Sequence, residues 1–221
     1  DAQESRGLGD VYKRQPLFRL VGEDDSHTAP SSIILWGPPG TGKTTIAYAV
    51  AREGDREFVE ISAVLAGVKD IRAVVDAARS RLRTTGRETI LFVDEVHRFN
   101  KSQQDALLPS VENRWVTLIA ATTENPYFSI ITPLISRSIV LTLDSLGGEE
   151  IDALLTRALA EERGLGGSVE LESDAREALV RLSGGDARKA LTALEAAAAS
   201  ALKTPEKRIT GDILALSLIH I

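Results

Sequence analysis

A chain of 221 residues, 43% apolar and 26% charged, can bury one α/β core of ordinary size plus a small annex, and is neither disordered nor collagen-like. The absence of cysteine excludes disulfides, thiolate metal sites and cysteine nucleophiles, and a net charge of -6 gives no bulk attraction to nucleic acid. No apolar run reaches the roughly 20 residues that span a bilayer, and the amino-terminal stretch lacks a secretory layout, so no membrane association and a cytoplasmic location are expected.

Because it begins at Asp1 and contains no methionine, the chain is expected to be a fragment of a longer protein. Residues 9–15 (GDVYKRQ) and 216–221 (LSLIHI) resemble translated adaptor sequence at the edges of sequencing reads; the plainer alternative is a floppy native terminus. Residues 1–15 and 216–221 are therefore set apart as doubtful ends.

From residue 31 onward, short β-branched runs alternate with stretches of helical period, which predicts a parallel sheet wrapped by helices. Strands are expected at 32–36, 57–61, 89–93, 116–120 and 138–141, with helices near 44–53, 69–83 and 102–113. The middle helix carries Ile71, Val74, Val75 and Ala78 on one face. Beyond Leu143 the strand signals stop. Three helical segments remain near 149–162, 173–182 and 186–202, so an all-helical second unit is expected. Ser173 and Asp174 suit a helix start, Gly184 and Gly185 separate the last two helices, and the alanine-rich run 195–201 reads as packed helix. The division is 16–143 for an α/β nucleotide-binding domain and 144–215 for a helical lid.

The strongest signal follows the first strand: Gly37-Pro38-Pro39-Gly40-Thr41-Gly42-Lys43-Thr44 fits G-x-x-x-x-G-K-[ST] between an expected strand and an expected helix. Glycines let successive N–H groups turn inward toward phosphates, and the helix that begins there, with Thr45 in its first turn, adds its positive end. Lys43 is expected to meet the β and γ phosphates of ATP and Thr44 to place its hydroxyl on Mg²⁺. An ordinary Gly/Pro turn is the plain alternative.

The second signal is Ile90-Leu91-Phe92-Val93-Asp94-Glu95, a buried strand delivering Asp94 to the metal's water shell and Glu95 to an attacking water. An acid pair there favours hydrolysis over transfer to another acceptor; the alternative is two carboxylates ending a strand in solvent. Thr123 is a candidate for holding the water, Arg137 for an arginine finger reaching a neighbouring subunit's nucleotide, and Arg188 for closing over the γ phosphate. Each has a bland counterpart: a turn-satisfying hydroxyl for Thr123 and solvated surface cations for the arginines.

These residues together carry a family resemblance. The run 31–44, the segment Ser62-Ala63-Val64-Leu65-Ala66-Gly67-Val68-Lys69, the stretch Asp94-Glu95-Val96-His97-Arg98-Phe99-Asn100-Lys101 with Gln103-Gln104-Asp105-Ala106-Leu107-Leu108-Pro109, and Ala121-Thr122-Thr123-Glu124-Asn125-Pro126 resemble the replication-associated recombination protein A family, which includes the Werner-helicase-interacting ATPase. The likeness runs from about Pro16 to Ala215.

The resemblance implies an AAA+ P-loop fold of five parallel strands followed by a small helical lid. It also implies a clamp-loader-like, Mg²⁺-dependent ATPase, tetrameric, stimulated by DNA and nucleoid-associated. Its partners would be stalled forks, DNA ends or gaps and single-strand-binding protein. By the same resemblance Lys43 and Thr44 are phosphate-loop ligands, Asp94 and Glu95 the metal and water residues, Thr123 the first sensor, Arg137 the finger and Arg188 the second sensor. Ser62 would hydrogen-bond Glu95 when DNA is absent. Two features depart from the family. Ser138 follows Arg137 where clamp-loader relatives commonly carry cysteine, with little effect expected. The adenine-packing segment and the tetramer-forming region are missing, so weak nucleotide binding and very slow hydrolysis are expected of the chain alone.

Of the three histidines, at 27, 97 and 220, none has ligand spacing for zinc, and His97 reads as structural or signalling rather than catalytic. Phe99 and Trp115 read as core or interface residues before base-stacking platforms, and Arg79, Arg81, Arg83 and Arg87 as a solvated helix end, with contact to a phosphate backbone as the alternative. Three classes of function stay open: a DNA-linked ATPase, a phosphotransferase, and a nucleotide-gated assembly module.

Overall fold

Strands buried on both faces read as continuous apolar runs, not as alternating ones. Ser32-Ile-Ile-Leu-Trp36 is such a run. In the computed structural model, which describes residues 32–218, it forms β1 (Ser32–Trp36), with Ile33, Ile34 and Leu35 almost fully shielded from solvent. The strands β2 (Glu57–Ser62), β3 (Thr89–Asp94), β4 (Thr117–Thr122) and β5 (Ile139–Thr142) join it in one parallel sheet of order β2-β3-β4-β1-β5. Residues 1–15 and both His27 and His220 lie outside the described residues.

Successive side chains in a strand point to opposite faces, and the two cores follow that parity. On one face Ile34, Leu91, Val93, Leu118 and Ala120 meet α2 (Val68–Thr85) and α3 (Lys101–Glu112) through Ile71, Val75, Ala78, Leu107 and Val111. On the other, Ile33, Leu35, Ile90, Phe92, Ile119 and Ala121 meet α1 (Lys43–Glu53) through Ala47, Val50 and Ala51. Full burial of a side chain such as Phe92 contributes about 1.5–3 kcal/mol, so the two faces supply most of the driving force.

Helix ends are fixed locally. Asp70 accepts from the Gly67 amide at 2.8 Å to start α2, and Gly86 in the left-handed region ends it. Asn100 and Gln103 form a reciprocal box at the start of α3, with bonds of 2.8 and 3.0 Å. Gln103 also donates to the Ala66 carbonyl at 2.7 Å, and buried Gln104 donates to the carbonyls of Phe99 and Ser129 and accepts from the Ile131 amide. Gln104 thereby ties α3 to the short helices α4 (Pro126–Ser129) and α5 (Thr132–Ile135).

Two strands begin one residue later than the sequence pattern suggests. The Val116 amide bonds back to the Ser110 carbonyl and that of Ser138 to Ile135, so both belong to the preceding turn, Val116 despite its strand-like side chain. The Ser138 hydroxyl in addition sits 2.6 Å from that of Ser32.

Among the described residues the chain divides into two compact units, residues 32–37 with 43–143, and residues 38–42 with 144–218. The second contains α6 (Gly148–Ala160), α7 (Ser173–Ser183), α8 (Ala187–Ala201) and α9 (Gly211–Leu218) around a core of Ile151, Leu155, Leu179, Leu194 and the alanines of α8. It is not purely helical, which corrects the expectation. The two-residue strands β6 (Glu170–Leu171) and β7 (Arg208–Ile209) pair in parallel, with Ile209 fully buried and Arg208 3.0 Å from Glu170. A pair that short leaves no alternation to read. The helix α9 also runs through residues 216–218, into the stretch set apart as a doubtful tail.

Candidate nucleotide site

Three strands meet at one edge. The strand β4 separates β1 from β3, and its register places Trp36 beside Thr122 and Val93 beside Ala120, so the three carboxyl ends finish within two residues of one another. With about 4.8 Å between neighbouring strands, the chain leaving β1 and the chain leaving β3 start about 10 Å apart.

Gly37 follows β1 and donates its amide to the Thr122 carbonyl at 3.1 Å. A Cβ here would fall 2.2 Å from the Leu143 carbonyl oxygen, so only glycine fits. Lys43 and Thr44 open α1, at the helix end where the macrodipole favours anions, and Lys43 Nζ donates to the Gly37 carbonyl at 2.8 Å. Thr44 is half-buried and Thr45 exposed. Along the loop Pro38 and Pro39 are exposed, Thr41 is nearly buried and donates to the Pro38 carbonyl at 3.0 Å, and Gly40 and Gly42 have φ of 70° and 84°. Residues 38–42 belong to the second unit, within which the Ala187 amide donates to the Gly40 carbonyl at 3.1 Å. A Cβ at Gly40 would lie 1.8 Å from Asp186 Oδ1.

Asp94 ends β3 half-buried, and its Oδ1 accepts from the Glu95 amide at 3.0 Å. Glu95 itself has φ 56° and ψ 41°, a left-handed conformation that is uncommon outside glycine and concentrates at functional positions. Its Oε2 lies 3.1 Å from Arg98 Nε and 3.3 Å from His97 Nε2. Among the described residues the Ser62 hydroxyl makes no hydrogen bond to Glu95; Ser62 is paired beside Asp94 in the sheet.

His97, read from the sequence as structural or signalling, lies beside Glu95 at this edge. Its side chain is only 6% exposed, in the 3₁₀ turn Val96–Arg98, with Nδ1 3.0 Å from Thr122 Oγ1 and Nε2 also 3.9 Å from Glu124 Oε1. Thr122 accepts from the Glu124 amide at 3.0 Å as well. Neither Thr122 nor Glu124 stood out in the sequence. Strand parity was the available signal: Thr122 shares the face of Ala120, where Val96 and Phe99 pack.

Among the described residues the remaining candidates make no side-chain bonds to the acid pair. Thr123 follows β4 and is exposed, with no side-chain hydrogen bond among the described residues. Arg137 lies at the opposite, amino edge of the sheet: its carbonyl accepts from Ser32 at the start of β1, and its guanidinium binds Glu112 at 2.9 Å and the Pro133 carbonyl at 2.9 Å. Arg188 is exposed in the first turn of α8, lining an open cleft of the second unit with Leu179, Leu182 and Asp186. The basic cluster is paired as well as solvated. Arg87 binds Asp55 and Glu57, Arg81 lies 3.9 Å from Glu57, and Arg79 stacks 4.6 Å over Trp115. Phe99 is buried in the core.

Comparison with known proteins bears on this edge directly. The profile of the ATPase family associated with various cellular activities (AAA) matches residues 33–143, and that of an AAA C-terminal domain matches residues 165–220. The chain is 51% identical over 186 residues to an uncharacterized AAA domain-containing protein of Mycobacterium tuberculosis, covering 84% of this chain and 40% of that one. It is 50% identical over 183 residues to replication-associated recombination protein A of Escherichia coli K12, covering 82% and 40%. Among solved structures, the RuvB Holliday junction branch migration motor of Thermotoga maritima superposes with a TM-score of 0.69 at 30% identity, covering 86% of this chain and 61% of that one. The chain thus spans about two-fifths of the length of the curated relatives it matches. On the sheet order, the loop after β1 and these matches, the chain belongs to the AAA family of nucleotide-binding ATPases, in the branch of replication-associated recombination protein A.

Proposed function

We propose that the chain is the ATP-hydrolysing core of a clamp-loader-like motor that works on DNA in replication and recombination. One observation carries the reading: the glycine loop after β1 and the acid pair ending β3 leave the same edge of one parallel sheet with only β4 between them. In this reading the main-chain amides of residues 40–45 enclose the phosphates, Lys43 neutralises them, and Thr44 and Asp94 would hold Mg²⁺. The donor set is hard oxygen and small in number, as Mg²⁺ prefers. Among the described residues no group of three His, Asp or Glu side chains forms an all-protein cage, so phosphate and water would complete the shell. Bound there, the ion would neutralise charge on the β and γ phosphates.

Glu95 then orients and deprotonates the attacking water, with Thr123 as its second anchor. Arg188 closes over the γ phosphate. Arg137, tied to the opposite edge, suits action on a neighbouring subunit's nucleotide, which supports a homo-oligomer, in the family's case a tetramer. The 50% identity to replication-associated recombination protein A supports DNA forks, ends or gaps and single-strand-binding protein as partners of the intact protein, and a cytoplasmic, nucleoid-associated location.

The test is phosphate release by the intact protein across a panel of DNA forms, with Glu95→Gln beside it. Stimulation by forked or gapped DNA, lost in the variant, supports the reading. A flat response across the panel overturns it. A second reading, a nucleotide-gated assembly module with incidental hydrolysis, draws on Glu95 being held by Arg98 and His97 and Arg137 by Glu112. Full biological activity of Glu95→Gln would favour it.

A further inference from the structure

Resting on that reading of Glu95 as the general base, we propose that His97 is the residue that positions it, through a relay running Gly37, Thr122, His97, Glu95. All three links are direct. The Gly37 amide donates to the Thr122 carbonyl at 3.1 Å, the Thr122 hydroxyl and His97 Nδ1 are 3.0 Å apart, and His97 Nε2 lies 3.3 Å from Glu95 Oε2.

The protons follow from the partners. An ionised carboxylate has only lone pairs, so the approach of Nε2 to Glu95 requires a hydrogen on Nε2. In the neutral ring Nδ1 is then an acceptor, and the Thr122 hydroxyl supplies the hydrogen; in the charged ring both nitrogens donate, and Thr122 turns its hydrogen to the Glu124 carbonyl, 3.1 Å away. Either state leaves a hydrogen on Nε2, which faces Glu95 Oε2 across a 3.3 Å contact. Only 6% of the His97 side chain is exposed, and Glu95, in a left-handed backbone conformation, has its Oε2 approached by both His97 and Arg98. The phosphate loop begins at Gly37, so the base is connected to the loop's first amide through the Thr122 main-chain carbonyl and the side chains of Thr122 and His97.

A histidine without these two contacts would show no proton preference on Nε2 that responds to Glu95. The first arm of the test is nitrogen NMR of the chain labelled with ¹⁵N-histidine. We expect His97 to carry its proton on Nε2, the Nε2 resonance to move in Glu95→Gln, and the Nδ1 resonance to move in Thr122→Val. A ring protonated on Nδ1 alone, or resonances indifferent to both substitutions, overturns the proposal.

The second arm is kinetic. Loss of an outer-shell positioning group typically costs about 10–100-fold, so His97→Ala should lower kcat by that factor with nucleotide Kd changed less than about threefold, and His97→Gln should recover part of the rate. Equal rates in His97→Ala and the parent, with Glu95→Gln inactive, sink this inference alone. A fully active Glu95→Gln sinks the reading on which it rests. Where turnover is too slow to follow, the NMR arm decides.

Discussion

Arg137 Nη2 sits 2.9 Å from Glu112 Oε1, binding the guanidinium to the end of α3 at the edge of the sheet where β1 begins. The strand β1 rises about 13 Å from Ser32 to Trp36, so the loop after it lies a full strand length away and Arg137 has no short path to its own chain's Lys43. The ion pair is half-exposed and contributes at most about 1 kcal/mol, which a better anion elsewhere easily overcomes.

Arg137→Ala should therefore be complemented in trans. In the intact protein, a mixture of Arg137→Ala subunits with Lys43→Ala subunits should release phosphate faster than either alone, because one supplies a sound loop and the other a sound finger. A finger can contribute roughly 10³–10⁵ in rate, so partial mixing is readable as phosphate release. Mixtures no faster than the average of their parts would speak for action within one subunit.

Gly37→Ala tests the loop's first turn. The added methyl group would meet the Leu143 carbonyl at 2.2 Å, a backbone atom that cannot step aside. Overpacking of this kind costs about 1–3 kcal/mol, and chemical denaturation should show that loss together with weakened binding of a fluorescent ATP analogue.

Gln104→Leu should destabilise without touching the acid pair. It removes bonds to the Phe99 and Ser129 carbonyls and the Ile131 amide, leaving buried backbone groups without partners. The expected cost is about 1–3 kcal/mol, read as a lower denaturation midpoint at unchanged slope.

Asp94→Asn should raise the Mg²⁺ concentration needed for half-maximal hydrolysis while leaving metal-free nucleotide binding close to that of the parent. Titration of phosphate release with Mg²⁺, and its abolition by a chelator, measures this. An unshifted Mg²⁺ requirement would remove Asp94 from the metal's environment.

Much of the sheet and its loop was legible because buried parallel strands and the G-x-x-x-x-G-K-T spacing both write themselves as short, local patterns. The strand ends were harder. Val116 has a strand-like side chain and Ser138 adjoins an apolar run, yet their amides are spent on turns closed by Ser110 and Ile135, which no periodicity records. In the second unit, the pair Glu170–Leu171 with Arg208–Ile209 joins positions far apart in the chain through two residues each. The contact between His97 and Thr122 has a related cause. A bond between residues 25 apart depends on sheet order and strand face, and a reading of motifs one by one passes over it.

The parity of β4 has a consequence for what insertions the chain can tolerate. Thr122 turns toward His97 only because Ala120 and Leu118 lie on that same side, and a slip of one residue would exchange every side chain of the strand between faces. Alanine would then confront the imidazole, and the Thr122 hydroxyl would move to the exposed position past the strand end. Lengthening the bend at residues 113–116 by a single amino acid could thus leave a sheet that melts normally while the wiring beneath the acid pair is cut.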